Sequence, residues 1–243
     1  LQSPPYANRF ILKGGLLLAS YVDLRRHTRD LDFLLKGSRN RTEDLSEMLT
    51  QIIGSPRDDG FRFDELDVRP LLHPHMRYPG SRATARCSFG KGRFKLVIDL
   101  GFGDIIEPLQ RDYPLVSGRE GALFESHVEI RCYPKEFIAA EKLEAICFHG
   151  AANSRMKDFH DLYVLSRQSD GFNSRLGEVI RSVFEHRGSV LDLPITFCDA
   201  TFEKMQTQWD SHIRRLVDPS QILRPFREVV DSLNLWLTEV LSS

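Results

Sequence analysis

The chain is short of cysteine, and neither sign of charge is in excess. Its four cysteines, Cys87, Cys132, Cys147 and Cys198, are far apart and form no C-x-x-C pair. That spacing argues against a zinc site and for the reduced thiols of a cytoplasmic protein. Lys and Arg number 33 against 34 for Asp and Glu, a formal net charge of -1. Nothing global therefore draws the chain to nucleic acid or to a membrane, and any polyanion site must be a local cluster. No apolar run reaches the roughly 20 residues that span a bilayer. No signal peptide is expected, and the sequence holds no repeat and no low-complexity tract. The first residue is Leu1 rather than Met, so the expectation is that an N-terminal piece is missing from the sequence.

What is present is ample core, with 41% hydrophobic residues in 243, and one stretch that organises the rest. Lys13 to Leu35 reads KGGLLLASYVDLRRHTRDLDFLL. The glycine pair Gly14 and Gly15 opens an apolar run with helical character, Leu16 to Leu24. Backbone N–H groups at such a helix start make a phosphate site. A strand-like segment follows, Asp30 to Leu34. Alternate residues of a strand share a face, so Asp30 and Asp32 point one way and Leu31 and Phe33 the other, into a core. Two carboxylates about 6.6 Å apart along a strand can hold divalent metal. Alone, this D-x-D pattern equally fits a surface strand with two solvated acids. The glycine pair upstream favours the metal site.

Phe10 to Leu12 is a short strand ahead of the glycines. Thr42 to Ile53 has helical spacing in Leu45, Met48, Leu49, Ile52 and Ile53, with Glu43 and Asp44 suiting the helix dipole in the first turn. His73-Pro74-His75 has no acid or cysteine at ligand spacing and reads as a surface loop. Ala83 to Leu100 forms a hairpin about Gly90-Lys91-Gly92. On its second strand Phe94, Leu96, Ile98 and Leu100 share one face, and Lys95, Val97 and Asp99 the other. The character changes near Pro134: strands alternate with helices before it, and helices follow it nearly to the end. The expected division is 1–130 and 131–243.

The helical half carries two unusually polar places. Lys135 to Phe148 contains AAEKLEAI, with Glu141, Lys142 and Glu144 among small and apolar residues. The next helix opens Arg155-Met156-Lys157-Asp158-Phe159-His160-Asp161. Asp158 and Asp161 are neighbours at i and i+3, and Lys157 can pair with Asp161 at i and i+4. The plain alternative is a solvated helix face with intrahelical pairs.

Taken in order, GG, TRDLDF, VIDLGFGD, YPKEFIAAEKLEAI and NSRMKDFHDL resemble the AbiEii/AbiGii toxin family of the polymerase β-like nucleotidyltransferase superfamily. The resemblance runs from about Asn8 to Trp209. It implies an α+β fold, a nucleotidyltransferase domain with a mixed sheet followed by a helical C-terminal region that completes the active site. It implies an NTP-dependent toxin of a toxin–antitoxin system, cytoplasmic and Mg²⁺-dependent, with the cognate antitoxin protein as a possible partner. Related members act on the 3′ end of tRNA. Gly14 and Gly15 match the small-residue pair that holds nucleotide phosphates. Many relatives have serine second, so Gly15 removes a hydroxyl contact. Asp30 and Asp32 match the metal-binding acids. Lys142 matches a required lysine on the triphosphate, and Asp158 an essential acid with Asp161 beside it. Asp99 corresponds in position to the superfamily's third carboxylate, a metal ligand. Lys13, Thr28, Arg29, Arg155 and Lys157 fall around the same nucleotide.

The expected chemistry is in-line transfer of NMP from an NTP to an RNA, with metal held by Asp30, Asp32 and Asp99. Asp99 or Asp158 is the candidate base, and Lys142 and Lys157 neutralise the leaving pyrophosphate. Lys142 and Asp158 are expected to reach the same cleft as Asp30 and Asp32. Arg25, Arg26, His27 and Arg29, with Arg82, Arg86, Lys91, Arg93 and Lys95, form a basic rim for an RNA acceptor stem or are scattered solvated charge. Transfer to a small molecule or a protein shares the same G-G and D-x-D core. A silent binding fold is disfavoured by the intact Asp30, Asp32 and Lys142.

Overall fold

The computed structural model describes residues 6, 8–55, 59–71, 79–115, 117–118, 121–122, 127–168, 172 and 175–242. The His73-Pro74-His75 loop lies outside them. The described residues fall into two compact units. One takes Leu1–Ser20 and Thr28–Tyr133, the other Tyr21–His27 and Pro134–Ser243.

The first unit is built on a mixed sheet. Its strands are β1 (Phe10–Lys13), β2 (Leu31–Leu35), β3 (Phe61–Leu71), β4 (Gly80–Phe89), β5 (Gly92–Gly101), β6 (Leu109–Pro114) and, after a small ribbon of β7 (Ser117–Gly118) and β8 (Gly121–Ala122), β9 (His127–Cys132). The seven-stranded sheet runs β3-β4-β5-β2-β1-β9-β6. β2 lies parallel to β5 and antiparallel to β1. The central strands are apolar because both their faces are largely covered. Ile11, Leu12, Leu34 and Leu100 are all buried, each stabilising by about 1.5–3 kcal/mol. Farther out the alternation is clean. On β4, Ser81, Ala83, Ala85 and Cys87 are buried, whereas Arg82 and Arg86 are exposed.

Two helices belong to this unit. α1 (Gly14–Leu18) is one short turn that buries Leu17 and Leu18, not the longer helix the apolar run to Leu24 suggests. The chain leaves it at Ala19, and Tyr21–His27 joins the helical unit instead. α2 (Thr42–Ile53) buries Leu45, Met48 and Leu49 and packs against β3.

The second unit holds α3 (Lys135–His149), α4 (Met156–Ser166), α5 (Leu176–Arg187), α6 (Asp199–Ile213) and α7 (Phe226–Ser242). Pro134 caps α3, where its missing N–H costs nothing. α4 packs against α3, α6 and α7, so it is covered nearly all round. Met156, Phe159, Leu162 and Leu165 are buried, and so are Asp158, His160 and Asp161. Phe159, Trp209 and Phe226 form the aromatic centre of this core, with ring centroids 5.0 and 5.6 Å from Phe226. The indole N–H of Trp209 donates to Leu223 O at 3.0 Å, which satisfies its one polar atom.

Candidate active site

In the first unit the strand register assembles a row of charge. Lys13 on β1 partners Asp32 on β2, Asp32 partners Asp99 on β5, and Asp99 partners Arg82 on β4. Residues opposite each other on neighbouring strands share a face, so Lys13, Asp32, Asp99 and Arg82 lie side by side on one surface of the sheet. Asp30 stands two residues ahead of Asp32, just before β2 begins, and is half-buried.

Gly14 is built against Asp32. Its φ is +70°, and a Cβ at this position would lie 2.1 Å from Asp32 Oδ2. Only glycine meets both conditions, the left-handed backbone and the close approach of a carboxylate. The glycine of the sequence pattern and its first strand acid are thus in direct contact.

The row's ends are tied off. Lys13 Nζ donates to Asp104 Oδ2 at 2.8 Å, and Tyr133 Oη donates to the same oxygen at 2.8 Å. Lys13 also lies 4.8 Å from the centre of the Tyr133 ring. Asp104 belongs to the GFGD segment but was assigned no role from sequence. Nothing in the spacing shows that a carboxylate 91 positions away will meet Lys13. At the other end Arg82 Nε and Nη2 grip both oxygens of Asp99 at 2.7 Å. This bidentate pair, with the field of Asp30 and Asp32, raises the guanidinium's pKa. Among the described residues no group of three or more His, Cys, Asp or Glu side chains forms a ready metal cage. Both oxygens of Asp99 are engaged by Arg82.

In the second unit the polar residues of α3 and α4 meet in a buried network. Lys142 Nζ donates to Asp158 Oδ1 at 2.9 Å and to Asp161 Oδ2 at 2.6 Å. Arg155 Nε holds Asp158 Oδ2 at 2.6 Å. Arg26 Nε and Nη2 hold Asp161 at 2.7 and 2.6 Å. Asp158 and Asp161 are 1% and 0% exposed, which excludes a solvated helix face. Burial opposes ionisation of Asp158, but Lys142 and Arg155 outweigh it and hold the carboxyl down to about 2. Asp161 is likewise lowered by Lys142 and Arg26 against its burial. The same two carboxylates overcome the burial of Lys142 and raise its pKa. Three cations face two anions, so the network carries an excess positive charge. Asn153 accepts from Arg155 N–H at 2.7 Å, and its Nδ2 is buried with no hydrogen-bond partner among the described residues.

The expected pairing of Lys157 with Asp161 does not form. Lys157 is exposed, and Asp161 is held by Arg26 and Lys142. Arg26 reads from sequence as part of a basic rim, yet with Lys142 it holds the buried acid Asp161. The rest of its segment is pinned too. Leu24 O accepts from His160 Nε2 at 2.8 Å, Arg25 O accepts from Val217 N–H at 2.8 Å, and Arg25 pairs with Asp218. These contacts hold Arg25 at φ 53°, a left-handed backbone uncommon outside glycine. Glu141 and Glu144 face the other way and share Arg187 at 2.8 Å each. Of the AEKLEA segment, Lys142 alone joins the acids of α4.

The family model described as nucleotidyl transferase AbiEii toxin, type IV TA system, matches residues 1–232. Two similar crystal structures share the fold. One is a Helicobacter pylori protein provisionally described as a nucleotidyltransferase, with 17% identity and a TM-score of 0.56, covering 98% of this chain and 88% of that one. The other is JHP933 from Helicobacter pylori, with 16% identity and a TM-score of 0.55, covering 98% and 86%. Among proteins with curated descriptions none gives a significant match.

Proposed function

The chain belongs to the AbiEii family of nucleotidyltransferase toxins, and from that premise we propose that it transfers NMP from an NTP to the 3′ end of an RNA, a tRNA, and so blocks translation in the cytoplasm. The observation that supports this most is Gly14 packed on Asp32, with Asp99 beside Asp32 on the same face.

The oxygen donors fit Mg²⁺, which binds through one or two carboxylates and completes its shell with water and substrate phosphates. Asp30 and Asp32 supply that number without a third ligand. Asp99 joins them only if Arg82 releases it. Bound there, Mg²⁺ would supply charge neutralisation on the triphosphate.

The chain's own residues do the rest. Gly14 lets the Asp32 carboxylate close on the backbone, with Gly15 next to it, and Lys13, Thr28 and Arg29 flank these residues in sequence. In the helical unit Asp158 and Asp161 fix the Lys142 ammonium in its charged form, and Lys142, Arg155 and Lys157 are its proposed phosphate-binding cations. Asp99, beside Asp32 on the sheet, is the proposed base for the acceptor hydroxyl once Arg82 releases its oxygens. Asp158 is too strongly held as a carboxylate by Lys142 and Arg155 to serve as an efficient base near neutrality. The antitoxin of the two-gene system is the proposed protein partner.

Incubation with each α-labelled NTP, Mg²⁺ and total RNA tests the proposal. Label on RNA of tRNA size supports it. Label on protein or small molecules only overturns the acceptor.

A further inference from the structure

We infer that the open face of the β4–β5 hairpin is the track on which the acceptor RNA lies, its 3′ end at the Asp32–Asp99 row and its phosphates running outward to the hairpin tip. This rests on the proposal that the acceptor is an RNA.

Register alone fixes which side chains share that face. Continuing outward from Arg82 and Asp99, the β4–β5 pairs on the same side are Thr84 with Val97, Arg86 with Lys95 and Ser88 with Arg93. β3 adds Arg62 opposite Ser88. Arg62, Arg86, Arg93 and Lys95 are all exposed. From Asp99 to Arg93 is six residues of strand, about 20 Å at strand rise.

Two features show that this cationic strip is not balanced internally. Arg86 and Lys95 stand directly opposite each other, and like charges in that position destabilise a strand pair. Arg86 has Glu65 at 3.0 Å, an exposed pair of little strength. Arg62, Arg93 and Lys95 have no carboxylate partner among the described residues. Of the acids on the face of β3, Asp64 stands opposite Arg86, and Asp67 is taken by Arg69 at 2.8 Å. In a chain of net charge -1 the cations Arg62, Arg93 and Lys95 outnumber the acids toward the hairpin tip, a local excess complementary to a polyanion.

The opposite face explains why the strip keeps its orientation. Phe61, Phe89 and Phe94 cluster there, with ring centroids 4.7 Å apart for Phe61–Phe89 and 6.2 Å for Phe61–Phe94. These contacts fix the register at the tip, and a slip by one residue would exchange the aromatic and basic faces. A small-molecule acceptor has no use for cations 20 Å from the acids. A strand of RNA whose terminal hydroxyl sits at Asp32 and Asp99 must lie over some path leading away, and this face offers one.

The test is binding of a labelled RNA hairpin with a single-stranded 3′ end, by fluorescence anisotropy across a salt series. R93A/K95A is compared with the unmodified chain, and binding of labelled NTP is followed alongside. The double variant should bind RNA more weakly whatever its sequence, with the slope of log K against log salt reduced by roughly 0.7–0.9 per lost phosphate contact. NTP binding should be unchanged. An unaltered slope and affinity overturn the track, as does failure of the unmodified chain to bind RNA. Transfer assays on the same preparations separate the two ideas. RNA labelling equal in both proteins leaves the activity standing and removes the track. A reduced slope with no RNA labelled by any NTP keeps the track and removes the transfer reaction.

Discussion

Gly14 and Lys142 each answer to more than one constraint, and substitutions there read those constraints separately. Gly14→Ala puts a Cβ 2.1 Å from Asp32 Oδ2 on a backbone at φ +70°. The left-handed conformation costs about 1–2 kcal/mol, and Asp32 must shift. A displacement near 1 Å is enough to lose about 10²-fold in rate. Transfer by Gly14→Ala should therefore fall about that far, while circular dichroism shows the sheet intact. A rate within a few-fold of the unmodified chain would mean that Asp32 is not placed by Gly14. Lys142→Met leaves Asp158 and Asp161 buried with one cation each, and should destabilise by about 3–5 kcal/mol in urea unfolding. Lys142→Arg keeps the charge but not the geometry, and should recover only part. If Lys142→Met unfolds with the unmodified midpoint, the network contributes little to the second unit. Much of this was legible residue by residue. The glycines, the D-x-D and the lysine of AEKLEA stand out by pattern. Their partners Asp104, Tyr133, Arg26 and Arg82 do not, because each is brought in by a tertiary contact that local spacing does not encode.

At the scale of elements, α4 and the segment Tyr21–His27 form one anchored piece. His160 Nε2 donates to Leu24 O, and the Nδ1 of the neutral His160 ring then accepts from the His212 imidazole at Nε2, 3.1 Å away. Burial lowers both. His212 is pushed down to about 4, with His160 and Arg26 adding to the effect. In the unfolded chain histidine titrates near 6.5. Between roughly pH 6.5 and 4 the unfolded state binds more protons, so stability should be full above that window and fall as the pH drops through it. Asp158, held down to about 2, loses its contribution only at still lower pH. Thermal unfolding of His212→Gln, which keeps a donor without a titrating ring, should show a shallower decline from pH 6.5 to 4. An unchanged decline would place the titration elsewhere. The helices after Pro134 were expected from the change of character there, and α5 and α7 carry the clearest apolar stripes. The short α1 was not expected, since its apolar run continues into a segment that turns away to join other helices. β6 and β9 were missed because their burial is shallow, with exposed residues on both.

For the whole molecule, the units divide between Tyr133 and Pro134, and the exchange of Tyr21–His27 into the helical unit could not be read from composition. No helix among the described residues is long and apolar enough to cross a membrane. The α+β architecture and the family were legible because five separated segments occur in order. The acceptor was not, because the glycine–aspartate core is common to transfer onto RNA, protein and small molecules. One measurement bears on that most directly. Purified protein is incubated with α-labelled NTPs, Mg²⁺ and total RNA, in parallel with Asp32→Asn of matched circular dichroism and melting temperature. The expected result is label on the 3′ end of RNA of tRNA size, abolished by chelation and by Asp32→Asn. RNA labelling retained by Asp32→Asn would contradict the catalytic role of the strand acids, and label confined to protein or small molecules would contradict the RNA acceptor.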